Sequence, residues 1–167
     1  MSLVALGGTL LTLAYPLATR ALITWRETAA ADRLRIVVEA QQVFRAGAGR
    51  GGYSSSLASL STPCPGEERG ALRTAIDGER DVEAGYAVML RAYSDAPAVG
   101  TDCHGRPTAP DFFASAVPVH PGADGLRAMA VSAAGRIFVF FDGVAPREID
   151  IEPGGLAMPL DRLRKIP

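Results

Sequence analysis

The side chains best suited to chemistry lie in one short stretch, Asp102-Cys103-His104. A thiolate beside an imidazole is the nucleophile of several enzyme classes, and cysteine and histidine are common ligands of zinc. Adjacent side chains usually diverge in space, however, and His120 is the only other histidine, so no set of four zinc ligands can be recognised. We therefore expect a surface loop here, with neither a metal site nor a catalytic thiol.

The second cysteine, Cys64, lies in the loop sequence TPCPGEE, and Cys103 lies in the similar sequence TDCHGRP. In an exported protein these two residues would be expected to form a disulfide, which would close a loop of about 40 residues and contribute a few kcal/mol. In a reducing compartment they would remain two free thiols. The disulfide is therefore predicted on the condition that this part of the chain is exported.

Carboxylates are concentrated in the middle of the chain, at Glu67, Glu68, Asp77, Glu79, Asp81 and Glu83. Such a charge run is usually a solvated loop, and the spacing of oxygen ligands that defines a calcium-binding loop is absent. The sequence also lacks the phosphate-binding, dinucleotide-binding, zinc-protease and nucleophile-elbow motifs. We predict no enzyme activity and no cofactor.

Length and charge exclude some classes of protein. The chain has 167 residues and a formal net charge of −1, which suits one domain with an appendage and gives no overall attraction to nucleic acid. Basic residues are too sparse around the phenylalanines for a platform on which bases stack. We predict instead that these rings form the core of a sheet: Phe112, Phe113, Phe138, Phe140 and Phe141.

Residues 1–19 carry no side chain that is charged at neutral pH. As a helix this run would be about 28 Å long, close to the ~30 Å hydrocarbon thickness of a bilayer. A cleaved signal peptide would begin with basic residues, and none occurs before Arg20; a buried core helix is the other alternative. Gly7, Gly8, Thr9 and Thr12 favour a membrane helix, so we predict a membrane span of marginal length.

The segment from residue 17 to residue 46 has the pattern of an amphipathic helix. Four polar residues form one narrow stripe, Asp32, Arg35, Glu39 and Gln42. The apolar arc covers most of the remaining circumference and comprises Leu34, Ile36, Val37, Val38, Ala40, Val43 and Phe44. An arc this wide fits a helix with two partners, its own head domain and something outside it, although a central helix wrapped by a sheet is an alternative.

A connector and then a sheet are predicted to follow. The glycines of AGAGRGG (46–52) end the helix, YSSSLASL forms a short helical turn, and ALRTAID could form another.

From residue 85 the apolar period is two, which predicts strands within 85–93, 111–119, 126–133 and 136–142. Ala134-Gly135 indicates a tight hairpin turn, and Pro118 indicates the edge of the sheet or the end of a strand. EIDI (148–151) could add a fifth strand, and the basic tail LDRLRKIP is predicted to be loosely held.

The predicted fold class is α+β, a long N-terminal α-helix packed on a small antiparallel β-sheet, because helices and strands do not alternate. Residues 1–50 would form the membrane and assembly helix, residues 51–84 the connector, and residues 85–167 the sheet head with its C-terminal tail.

This organisation resembles the type IV pilins and the pseudopilins of type II secretion. An ungapped comparison from Pro16 matches the family's helix pattern at Arg20, Ile23, Glu27, Arg35, Ala40, Gln41 and Phe44. The segment GYSSSLASL resembles the family's Tyr-x-x-Ser-Leu-x-x-Leu segment. GYAVML (85–90), followed by residues 114–139, resembles the strand, the Pro-x-x-x-Gly turn and the hairpin of small pilin-like heads. The resemblance covers the helix well and the head loosely.

The resemblance implies a structural filament subunit anchored in the inner membrane by a single span, with its head in the periplasm or on the filament surface. Pro16 would kink the assembling helix, and Leu34, Val37, Val38, Val43 and Phe44 would be its packing residues. The implied partners are copies of itself, other pilin-like subunits, the inner membrane and the assembly machinery. The alternative is a membrane-tethered periplasmic binding module that does not polymerise. Pilus, secretion and competence filaments share this plan, and the sequence does not distinguish them.

One part of the family pattern is missing from this sequence. The family's basic leader, its cleavage site and the glutamate of its first turn would lie upstream of Met1, judged from the spacing to Pro16. A start codon placed too far downstream, a fragment, or an unprocessed relative would each account for this. Leader cleavage and N-methylation are therefore assigned to no residue.

Overall fold

The computed structural model describes residues 3–73, 80–93, 97–141, 143–147 and 163–165, with side chains placed for the described residues from 18 to 147. The candidate fifth strand at 148–151 lies outside these residues. So does most of the candidate helix ALRTAID, of which residues 71–73 form bends rather than a helix.

The first element is one long helix, α1, which runs from Leu3 to Ala46. It includes both the uncharged run and the amphipathic segment, and its backbone stays helical through Pro16 although proline cannot donate the usual hydrogen bond. The helix closes where the Gly49 amide donates to the carbonyl oxygen of Phe44 at 2.7 Å. No helix in the described part of the chain combines the length and the hydropathy that a membrane span needs.

A short helix, α2, spans Leu57–Ser61 and confirms the predicted helical turn. The hydroxyl of Ser56 caps it by accepting a hydrogen bond from the amide of Ser59 at 3.1 Å.

Six strands of the described chain form one antiparallel sheet. Their order across the sheet is β1 (Arg80–Glu83), β2 (Tyr86–Ala92), β5 (Phe112–Pro118), β6 (Ala128–Ser132), β7 (Phe138–Phe140) and β8 (Leu163–Lys165). Four of them confirm the predicted strands: β2 (Tyr86–Ala92), β5 (Phe112–Pro118), β6 (Ala128–Ser132) and β7 (Phe138–Phe140). Pro118 is the last residue of β5, a central strand, so it marks a strand end rather than the sheet edge. The connection between β6 and β7 spans residues 133–137 and is longer than the predicted tight turn.

Four strands were not predicted. β1 (Arg80–Glu83) lies within the predicted connector, so the sheet begins at Arg80 rather than Gly85; the left-handed residues Ala84 and Gly85 join it to β2. β8 (Leu163–Lys165) pairs with β7 and corrects the prediction of a loose tail. β3 (Gly100–Thr101) and β4 (Pro107–Thr108) form a separate ribbon. All four are short, and β1 is a charged edge strand that lacks the alternation on which strand prediction relies.

Both faces of the sheet bury apolar side chains. The inner face, which α1 covers, presents Tyr86, Val88, Leu90, Phe112, Ala114, Ala116, Met129 and Val131. A second cluster comprises Phe113, Ala128, Ala130, Phe138 and Phe140. Phe141 was predicted to be core but is half exposed, because β7 ends one residue earlier. The guanidinium group of Arg127 lies over its ring.

One side of α1 packs against this inner face, where it contacts β2, β5 and β6. Its buried apolar residues are Ala30, Ala31, Leu34, Val37, Ala40 and Phe44. Full burial of a leucine or valine side chain contributes about 1.5–3 kcal/mol. The predicted polar stripe of Asp32, Arg35, Glu39 and Gln42 is exposed on the other side, and Asp32 forms an ion pair with Arg35.

Gln41 is the polar residue that α1 buries completely. Its side-chain amide donates to the carbonyl oxygen of Ser54 at 2.8 Å and accepts from the amide of Ser54 at 2.9 Å. The pair of hydrogen bonds satisfies both backbone groups of Ser54, and it fixes the chain that leaves α1 against the helix.

We predict that Gln41→Ala lowers the free energy of unfolding by about 2–4 kcal/mol, because both backbone groups of Ser54 would remain buried without a partner. The exposed neighbour provides the matched control, since Gln42→Ala should change stability by less than about 0.5 kcal/mol. Urea unfolding of the two variants measures the difference. Equal stabilities would show that this clamp contributes little.

Candidate functional site

The Asp102-Cys103-His104 stretch is a structural corner. The buried carboxylate of Asp102 accepts from the backbone amides of His104 and Arg106, both at 2.8 Å, and so fixes a turn. The ring nitrogen Nε2 of His104 lies 3.0 Å from the carbonyl oxygen of Pro63. The carboxylate of Asp102 and the imidazole of His104 therefore each have a partner within the protein.

Cys103 is joined to Cys64 by a disulfide, with the two Cα atoms 5.7 Å apart. The bond connects the loop after α2 to the ribbon of β3 and β4. The guanidinium group of Arg106 adds a hydrogen bond to the hydroxyl of Ser59 at 2.9 Å in the same region. The connector is thereby fixed to the head at two points.

The four described residues of the acidic run are not grouped as ligands. Asp81 accepts from Arg33 at 2.6 Å and Glu83 lies 3.6 Å from the same guanidinium group, so these two carboxylates attach β1 to α1. Asp77 and Glu79 lie outside the described residues. Within the described residues no three acidic, histidine or cysteine side chains are grouped so that they could hold a metal ion.

A second set of charges attaches α1 to the turn before β6. The buried carboxylate of Glu27 accepts from the amide of Leu126 at 3.0 Å and from Nε of Arg127 at 2.7 Å. Beside these contacts, Arg26 forms an ion pair with Asp124 at 2.8 Å. These contacts fix the rotation of α1 about its own axis.

The same region perturbs two ionisable groups. Hydrogen bonding from His120, helped by the charge of Arg26, lowers the pKa of Asp124 below its ordinary value. Burial, followed by the negative charge of Glu27, raises the pKa of Tyr86 above its ordinary value. The phenol of Tyr86 donates to the carbonyl oxygen of Arg127 at 2.8 Å, so its proton is part of the structure.

The surface of α1 that faces away from the sheet carries four large apolar side chains. Trp25 and Val43 are 60% and 61% exposed, and Leu22 and Ile36 are 46% and 44% exposed. Leu22, Ile36 and Val43 are separated by multiples of seven residues, and seven residues make about two helical turns. We call Leu22, Trp25, Ile36 and Val43 the exposed apolar line.

The predicted packing residues divide between the two sides of α1. Leu34, Val37 and Phe44 are buried against the head, and Val38 is partly buried beside them. Val43 belongs to the exposed apolar line. Pro16 lies in the helical backbone before the first described side chain.

Leu22 and Trp25 were absent from the sequence prediction, which placed the apolar arc between Leu34 and Phe44. The signal that could have found them is the spacing of Leu22, Ala29, Ile36 and Val43, each seven residues from the next. Residues at this spacing lie along one side of a helix that packs against another helix.

A groove of about 370 Å³ opens at the C-terminal end of the exposed apolar line. Its apolar lining includes Val43, Ala48 and Ala71, and its polar lining includes Glu67 and Glu68. The two glutamates of the acidic run thus lie beside an apolar surface of α1 rather than beside other ligands.

Comparison with protein-family models, with curated proteins and with solved structures found no match to this chain.

We predict that the folded chain has no titratable thiol and that reduction lowers the free energy of unfolding by about 4 kcal/mol, the loop-entropy value for a closed loop of this length. Thiol titration before and after denaturation, together with urea unfolding with and without reductant, tests both statements. A Cys64→Ala, Cys103→Ala variant should match the reduced protein and should not respond to reductant. Two reactive thiols in the folded chain would contradict the disulfide.

We predict that Glu27→Gln lowers the free energy of unfolding by about 1–3 kcal/mol, since the amide keeps an acceptor for Leu126 but loses the charge that pairs with Arg127. Glu39→Gln, an exposed site on the same helix, is the matched control and should leave the urea midpoint unchanged. If the two substitutions have the same effect, the ion pair of Glu27 does not hold α1 in place.

Proposed function

We propose that this chain is a structural subunit of a filament, pilin-like or pseudopilin-like, that assembles by packing of its N-terminal helices. In this proposal the N-terminal run anchors the subunit in the inner membrane, and the head lies in the periplasm or on the filament surface. The observation that carries the proposal is the exposed apolar line. A helix that already buries one side in its own core presents a second apolar side that no other described residue of the chain covers.

The energetics favour a partner for this side of α1. Burial of a large apolar side chain contributes about 1.5–3 kcal/mol, and four such residues follow one line for more than half of the amphipathic segment. Isolated exposed apolar residues are common on protein surfaces, but aligned ones mark a contact surface. The spacing of Leu22, Ile36 and Val43 by multiples of seven favours a second helix as the partner.

Two further observations support an exported, anchored subunit. The disulfide between Cys64 and Cys103 is the kind of bond that persists in an oxidising compartment such as the periplasm. Residues 1–19 have no side chain that is charged at neutral pH, which suits a segment that lies in a bilayer before assembly.

Three of the residues on which the resemblance to pilins rests make contacts between α1 and the head. Glu27 pairs with Arg127, Gln41 holds Ser54, and Phe44 is buried where the chain leaves α1. These are the contacts that would keep a head attached to its helix during assembly. They support the resemblance at positions where it was drawn from sequence.

A membrane-tethered binding module that never polymerises is the alternative. Such a protein would be expected to cover the apolar arc of its helix with its own head. Ile36 and Val43 are exposed on that arc, which favours assembly.

We predict that Ile36→Asp blocks assembly without unfolding the head. The substitution is at an exposed site and should change the free energy of unfolding by less than about 0.5 kcal/mol. In a helix–helix contact the unpaired charge would cost several kcal/mol, which raises the concentration needed for assembly at least about tenfold. Sedimentation of the full chain after dilution from detergent measures assembly, and urea unfolding measures the head.

Two variants make this test specific. Val37→Asp, which places the charge in the buried contact with the sheet, should unfold the head. Gln42→Asp, on the exposed polar stripe, should leave both folding and assembly intact. Normal assembly of Ile36→Asp would contradict the proposed function, and so would a wild-type chain that stays monomeric.

A further inference from the structure

The two ends of the exposed apolar line differ in shape. Near the N-terminal end Trp25, the only tryptophan of the chain, projects with most of its surface exposed. At the C-terminal end Val43 forms part of the wall of the groove described above. The line thus begins with a large projecting side chain and ends with a cavity.

Trp25 and Val43 point in the same direction from α1. Eighteen residues separate them, which is five full turns of an α-helix and about 27 Å along its axis. A second copy that runs parallel, faces the first and is displaced by this distance brings its indole ring to the groove of the first copy. At this displacement the two lines overlap at their ends, where residues 22–25 of one copy lie beside residues 40–43 of the other.

The groove offers the chemistry that an indole ring needs. An indole has a broad apolar surface and one N–H donor, which requires an acceptor when it is buried. Val43, Ala48 and Ala71 supply apolar lining, and the carboxylates of Glu67 and Glu68 supply acceptors. The volume of about 370 Å³ leaves room for a bicyclic ring.

We infer that Trp25 of one copy inserts into the groove of the next, so that this chain assembles by a staggered contact between unlike ends of α1. The inference rests on the proposed function and specifies its contact. Because the two surfaces differ, the contact is heterologous: each bound copy presents a free groove or a free Trp25 to another copy. Because each contact displaces the next copy by about 27 Å along the helix axis, the series does not close into a ring, and its repetition generates an open filament.

The emission of Trp25 tests this contact directly, because no other tryptophan contributes. Full-length chain is diluted from detergent to induce assembly, and acrylamide quenching and the emission maximum are recorded for monomer and polymer. Assembly should shift the emission to shorter wavelength and reduce the quenching constant at least about threefold. Sedimentation of the same samples reports whether polymer has formed.

Gly47→Leu is designed to fill the groove. A Cβ atom at Gly47 would meet only the carbonyl oxygen of Val43, at 3.7 Å, so the substitution is compatible with the fold. Ala46→Leu is the matched control, since Ala46 is exposed and does not line the groove. The inference expects Gly47→Leu to abolish the protection of Trp25 and weaken assembly at least about tenfold, and Ala46→Leu to behave as wild type.

The outcomes separate this inference from the proposed function. Polymers in which Trp25 remains as quenchable as in the monomer would overturn the staggered contact and leave filament assembly standing. Protection that is equal in Gly47→Leu and Ala46→Leu would overturn the groove as the binding site. A wild-type chain that forms no polymer at all would overturn both proposals.

Discussion

The burial of one side of α1 against the inner face of the sheet is the contact on which the rest of this structure depends. Leu34 and Val37 supply the apolar part of that contact, and Tyr86 and Phe112 lie opposite them in the same core. Charged and polar contacts then prevent the helix from turning: Glu27 holds it to Arg127 near one end, and Gln41 holds it to Ser54 near the other. Because Glu27 and Gln41 are themselves buried, rotation of α1 would leave their polar groups without partners.

A fixed rotation has a consequence for the opposite side of the helix. The residues of the exposed apolar line cannot turn inward without breaking the contacts of Glu27 and Gln41, so the part of the chain that the structure describes does not relieve the cost of their exposure. The disulfide between Cys64 and Cys103 acts in the same sense on the connector, since it holds the loop that carries Glu67 and Glu68 next to the end of α1. The head can therefore be understood as a rigid support that presents one side of a long helix to a partner.

Sequence patterns predicted the parts of the fold that have strong periodicity. The long helix and strands β2, β5, β6 and β7 were predicted because apolar residues recur at periods near 3.6 and 2 over many positions. β1 and β8 were missed because both strands are short and mostly charged, so that they show no apolar period. Their pairing also depends on other strands of the sheet. In the site, the wide apolar arc indicated a second partner for α1, but its separation into the buried residues Leu34 and Val37 and the exposed residues Ile36 and Val43 required the position of the sheet. The groove was not predictable, because it is formed by residues from α1 and from a loop brought together only in the folded chain.

We propose that α1 has two partners, the sheet within one chain and the same helix in other chains. The most direct measurement is an electron-microscopic reconstruction of the polymer formed by the full-length protein. We expect parallel α1 helices at the centre, with the exposed apolar line of each copy buried against neighbouring copies and the sheets on the outside. A polymer in which the copies meet through their sheets, with the exposed apolar line of α1 facing solvent, would contradict it.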